Sequence, residues 1–143
     1  MNEADYSHIT CDITMAAADV LRLNPGMTFV FVSGAGTDST ERGQLMWARV
    51  KGRTENALLR MPFRAAYMFR PGVVQPLHGV RSRTAAYRIL YSLTAPLIPL
   101  LRRVFPNQIL TTEEMGRAML NAVRHGAPKR VLESGDIRQL ATG

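Results

Sequence analysis

Short apolar runs without polar alternation constrain the fold of this chain more than any other feature. The first run, MTFVFV at residues 27–32, ends directly in the loop SGAG. A run of this kind is typical of a strand covered on both faces, as in a parallel sheet. Two further runs, AAYMFR at 65–70 and KRVLE at 129–133, are also followed or preceded by Pro and Gly. We therefore predict three buried strands.

Helical patterns lie between these runs. Apolar side chains recur every three or four positions over 5–23, up to the helix-breaking NPG. A second helix is predicted at about 41–60, with Asp38 and Glu41 forming its N-terminal cap, and a third over 111–124, opened by the capping box TTEE. Because parallel strands need crossover connections, this order predicts an α/β fold with a partial Rossmann-like parallel sheet of about three strands.

Length and composition narrow the class of protein. The 143 residues, 46% of them hydrophobic, fit a single domain over 1–143. No apolar run reaches the ~18 residues of a membrane-spanning helix. One cysteine and three scattered histidines offer neither an internal disulfide nor metal-ligand spacing, so no metal is expected. The polar, acidic N-terminus lacks a secretory signal, and we expect a cytoplasmic protein.

Positive charge is concentrated in the middle of the chain. Residues 49–103 contain eleven Lys and Arg and a single acid, Glu55. No nucleic-acid-binding motif accompanies them, so no nucleic-acid partner is expected. Within 88–103 the apolar stretch ILYSLTAPLIPLL is flanked by arginines. It is too short to span a bilayer, but it leaves open a weak contact with an anionic membrane surface.

The loop after the first predicted strand, GAGTDS, invites comparison with the dinucleotide fingerprint GxGxxG. Ser39 takes the place of the third glycine. The next strand ends in Arg70 rather than in the acid that binds a ribose. The loop alone therefore favours a structural role, in which the glycines allow a tight turn after the strand, over a nucleotide-binding site.

A stronger pattern joins the strand ends to the helix between them. Ser33 closes one strand, Trp47 and Lys51 are four residues apart on one helix face, and Arg-Pro-Gly at 70–72 closes the next strand. With TTEEMGRAML further on, this order resembles the latter half of the extended and atypical, epimerase-like short-chain dehydrogenase/reductases. The resemblance covers roughly residues 8–137.

The resemblance implies a fold, a cofactor and a set of site residues. The cofactor would be NAD or NADP, and residues 73–110 would form a helical substrate-side lobe. Catalytic positions would be Ser33, Trp47 and Lys51. The cofactor-binding positions would be Gly34, Lys51, Arg70, Pro71, Gly72 and Val73. For Glu55, four residues after Lys51, the spacing predicts an (i, i+4) ion pair with that lysine.

Two departures from the family limit what this chain can do. The tyrosine that serves as proton donor and acceptor falls on Trp47, and an indole has only a donor N–H and cannot exchange a proton near neutral pH. The family's first half, with its Gly-rich loop, is missing, so we expect a truncated chain that is not catalytic alone. One alternative is a non-catalytic NAD(P)-sensing or partner-binding module, and a second is a peripheral membrane protein that docks through residues 88–103. The expected partner is a second copy or a chain supplying the missing half.

Overall fold

The computed structural model describes residues 2–76, 100, 103 and 108–143. This part of the chain is α/β, as predicted. Its strands are β1 Thr28–Val32, β2 Ala65–Arg70, β3 Val73–Gln75, β4 Ile109–Thr111 and β5 Val131–Glu133. Its helices are α1 Glu3–Ser7, α2 Ile13–Leu21, α3 Met46–Arg60, α4 Thr112–His125 and α5 Ser134–Thr142, with a π-helical turn, His8–Asp12, between α1 and α2.

The main sheet is parallel and has the order β1-β2-β5. In its register Val32 pairs with Phe69 and Met68 pairs with Val131. The three predicted strands are therefore confirmed, although β5 begins at 131 rather than 129. A second parallel pair, β3 with β4, was not predicted because each strand has only three residues.

Helices cover both faces of this sheet, in a partial Rossmann-like arrangement. Successive residues of β2 point to opposite faces. Tyr67 and Phe69 belong to a core cluster with α4 and α5, whereas Ala66 and Met68 pack with α2 and α3. The central strand β2 is consequently buried from Ala65 to Phe69, as its apolar sequence predicts.

The N-terminal helix is confirmed, but its apolar stripe does not face the core. Cys11 and Ala18 are buried, whereas Ile9, Ile13 and Val20 are 53%, 55% and 68% exposed. These last three follow one another at spacings of four and seven and therefore share one helix face. We call them the outer stripe.

The predicted start of α3 is wrong. The helix begins at Met46, not near 41. The Asp38 carboxylate accepts from the backbone N–H groups of Thr40, Arg42 and Gly43 and so closes a turn within the loop. These hydrogen bonds, with that from the Thr40 hydroxyl, lower the pKa of Asp38 to about 2. The Asp38 carboxylate is therefore already hydrogen-bonded within the loop that precedes α3.

The helix after β4 has both of its predicted ends. Thr111 accepts from the Glu114 N–H, and the Glu114 side chain accepts from the Thr111 N–H, so the capping box is confirmed. Gly126, at φ 82°, follows the last residue of α4. The final helix, α5, was not predicted, although it too begins with a capping box, formed by Glu133 and Asp136.

Some predictions fall outside the described residues. They include nearly all of the apolar segment at 88–103 and most of the proposed lobe at 73–110, of which β3 and the start of β4 are described. Among the helices that are described, none has the length and apolarity needed to cross a bilayer.

Candidate functional site

The candidate site is built where β1 and β2 end side by side. The Ser33 N–H donates to the Phe69 carbonyl at 2.9 Å, and the Ala35 N–H donates to the Pro71 carbonyl at 2.8 Å. These bonds extend the pairing of the two strands past their formal ends. The structure thus brings the predicted Ser33 next to the predicted Arg-Pro-Gly exit at 70–72, at the sheet edge where open α/β folds bind ligands.

Glu55, from the middle of α3, occupies the centre of this edge. Its side chain is fully buried. It accepts a hydrogen bond from the Ser33 hydroxyl at 2.5 Å and two from Arg70, from Nε at 3.0 Å and from Nη2 at 2.5 Å. The predicted ion pair with Lys51 is therefore wrong as the main role of Glu55. The carboxylate pairs instead with Arg70, whose planar guanidinium offers two parallel donors.

The Arg70 guanidinium links three parts of the fold. Besides Glu55 it donates to the Ser39 hydroxyl at 2.6 Å and to Glu133, at the end of β5, at 3.4 Å. Its side chain is only 11% exposed. The hydrogen bond to Glu55 raises the pKa of Arg70, against the effect of burial. This arginine ties α3, the 34–40 loop and β5 to the end of β2.

Lys51 reaches the same edge one helical turn before Glu55. Its ammonium donates to the Ser33 carbonyl oxygen and is half-buried. Burial lowers the pKa of Lys51, and the negative charge of Glu55 opposes that shift. An ammonium has three N–H donors, so the bond to Ser33 leaves two of them for other acceptors.

Trp47 lies at the start of α3 against the glycine-rich loop. A Cβ placed on Gly36 would be 3.4 Å from Cη2 of the indole, so the ring packs directly on this glycine. Gly36 has φ 82°, a conformation that favours glycine. The Thr37 hydroxyl donates to the Gly34 carbonyl at 2.7 Å and fixes the same turn. Trp47 and Lys51 thus flank the loop, as their spacing predicts.

The remaining predicted positions, 71–73, lie where the chain leaves the main sheet after β2. The Gly72 N–H donates to the Ser134 hydroxyl at 2.8 Å. A Cβ on Gly72 would be 2.7 Å from the carbonyl oxygen of Gln108, so only glycine fits there. Val73 opens β3 and is about half exposed. Pro71 is buried at the strand exit.

Sequence reasoning did not predict that Glu55 is the central acceptor of the site. It also missed Ser39 and Glu133 as further acceptors for Arg70. One signal was present. Glu55 is the only acid among the residues 49–103, and a lone carboxylate among many cations is available for burial in a charge pair. The spacing does not reveal which cationic side chain pairs with the Glu55 carboxylate.

The described residues contain no group of three His, Cys, Asp or Glu side chains placed to hold a metal ion. No protein-family model matches the chain, and no curated protein is significantly similar to it. The resemblance to the epimerase-like dehydrogenases therefore stays a prediction from the quoted motifs.

Proposed function

We propose that this chain forms the nicotinamide side of an NAD(P) site of the epimerase or oxidoreductase type, and that alone it binds this part of the ligand without turning it over. The observation that supports the proposal is the placement of Lys51 and Trp47 around the 34–36 loop at the carboxyl edge of a parallel sheet. We place the protein in the cytoplasm, where a free thiol such as that of Cys11 stays reduced.

The side chains fit a nicotinamide ribose only in part. Lys51 has two ammonium hydrogens left for hydroxyl groups. Trp47 offers an aromatic surface for positioning a ring. The bound NAD(P) would supply hydride transfer, and the chain's own residues would bind and orient it.

Proton transfer is the step that these residues do not support. The Ser33 hydroxyl already donates its proton to the buried Glu55 carboxylate, so that proton is engaged within the fold. The indole of Trp47 cannot take up or release a proton at neutral pH. The proposal is therefore a binding function, which also covers a role as an NAD(P) sensor.

Nicotinamide mononucleotide tests the proposal without requiring the adenosine half of the ligand. The chain has one tryptophan, so a ¹⁵N-labelled sample gives a single indole N–H signal. We expect this signal to move as the mononucleotide is titrated into the millimolar range, and Lys51→Met to abolish the movement. Lys129→Met is the matched control, because it removes the same charge at a lysine whose ammonium contacts Asp136 of α5 and not Ser33.

Two results would contradict this proposal. One is an indole signal that does not move at tens of millimolar, or that moves equally in Lys51→Met. The other is micromolar binding of whole NAD(H) by calorimetry. We expect a dissociation constant no better than about millimolar, a binding free energy of ~4 kcal/mol, because the loop GAGTDS lacks the third glycine of a phosphate-binding fingerprint.

A further inference from the structure

We propose that Glu55 is a positioning residue that keeps Lys51 in its charged, ligand-binding form. This inference rests on the function proposed above for Lys51. It assigns Glu55 a task beyond its bond to Arg70. Contacts through Ser33 connect the two side chains, of which Glu55 is fully buried and Lys51 half-buried.

Ser33 connects the Lys51 ammonium and the Glu55 carboxylate, one through its backbone and the other through its side chain. Its backbone carbonyl accepts from the Lys51 ammonium, while its hydroxyl donates to the Glu55 carboxylate at 2.5 Å. Lys51 and Glu55 also share one face of α3, four residues apart. The carboxylate is thus fixed close behind the acceptor that positions the ammonium.

The partial burial of Lys51 disfavours its charged form, and Glu55 favours that form. A half-buried ammonium loses hydration, which favours the neutral amine. The direct acceptor given by Ser33 is a carbonyl oxygen, which carries no net charge. The nearby negative charge is that of Glu55, and it opposes the effect of burial on the pKa of Lys51. Arg70 binds the Glu55 carboxylate through two donors and fixes its position.

Other charged groups around the site act less directly on Lys51. Arg70 of β2 pairs with Glu55 at 2.5 Å and has the same sign of charge as the ammonium. Glu133 of β5 contacts Arg70 at 3.4 Å. The Asp38 carboxylate, in the loop against α3, accepts hydrogen bonds from the N–H groups of its own turn. Glu55 and Arg70 therefore have opposite effects on the charge of Lys51.

These opposite effects provide the test. The chain has two lysines, Lys51 and Lys129, so ¹³C-labelled lysine gives two Cε signals that can be titrated with pH in the full chain. We expect Glu55→Gln to move the titration midpoint of Lys51 to lower pH and Arg70→Gln to move it to higher pH. The midpoint of Lys129, whose ammonium contacts Asp136, is followed in the same samples for comparison.

A purely structural role would give a different pattern. If Glu55→Gln only loosened the site, water would enter and the Lys51 midpoint would rise, as in any loosened variant. A rise in both variants, or no change in either, would overturn the inference. If Glu55→Gln fails to fold, the double variant Glu55→Gln/Arg70→Gln leaves no unpaired buried charge. Its Lys51 midpoint must then lie below that of Arg70→Gln alone.

The titration needs no nucleotide, so the two proposals can fail separately. Midpoints that shift as expected while nicotinamide mononucleotide does not bind would leave the electrostatic role of Glu55 intact and reject the binding function. If the mononucleotide binds but the Lys51 midpoint does not respond to substitution of Glu55, the binding function stands and the electrostatic role of Glu55 is rejected.

Discussion

Gly52→Ala is expected to destabilise the folded chain by about 3 kcal/mol or more, because α3 and the preceding loop are in direct backbone contact at this position. A Cβ on Gly52 would overlap the carbonyl oxygen of Asp38 and lie 2.5 Å from its carbonyl carbon. The loop cannot simply retreat. The Asp38 N–H donates to the Ala48 carbonyl on the same helix at 3.1 Å. Relief of the overlap would require that bond and the turn around Asp38 to shift together.

Gly116→Ala is the matched control on α4. A Cβ at this position meets no atom within 4 Å, and the residue lies inside the helix. Alanine should therefore stabilise the chain by about 0.5–1 kcal/mol through helix propensity. Urea denaturation of both variants measures the difference. Equal stabilities would show that the loop does not rest on α3 as described.

The contact at Gly52 also shows why the start of α3 was mispredicted. Asp38 with Glu41 three residues later satisfies the spacing of a helix cap. The same carboxylate can instead bind the N–H groups of its own turn, and it does so with Thr40, Arg42 and Gly43. Sequence spacing does not distinguish these outcomes, because the choice depends on where Gly52 allows the loop to pack.

The strands were predictable for a physical reason. Residues 65–69 are apolar at every position, and only a strand with both faces covered buries such a run. β1 and β5 are the shorter neighbours of this strand, and their turn residues mark their ends. In contrast, β3 and β4 have three residues each, too few for any alternation to be recognised.

The site was predictable in its positions but not in its pairing. The order of the elements brings Ser33, Lys51 and Arg70 to one edge of the sheet. The partner of Glu55 depends on geometry that local spacing does not contain. Lys51 is four residues away on the same helix, yet Arg70, at the end of β2, offers the buried carboxylate two parallel donors.

The purified chain is expected to self-associate through the outer stripe. Ile9, Ile13 and Val20 expose more than half of their surface along one face of the N-terminal helix. Contiguous apolar surface of this kind marks an association site in soluble proteins. A second copy offers a matching stripe, so the two apolar faces can cover each other.

Ile13→Gln/Val20→Gln tests this association by light scattering. Each aliphatic side chain buried in an interface contributes about 1.5 kcal/mol, and its loss weakens the dissociation constant about tenfold. The double variant should therefore approach the monomer mass of 15.9 kDa at concentrations where the unchanged chain is larger. Leu120→Gln/Val123→Gln makes the same change on exposed positions of α4, across the sheet, and should leave the mass unaltered. A monodisperse monomer for the unchanged chain, or an equal loss of mass in the control, would refute association through the N-terminal helix.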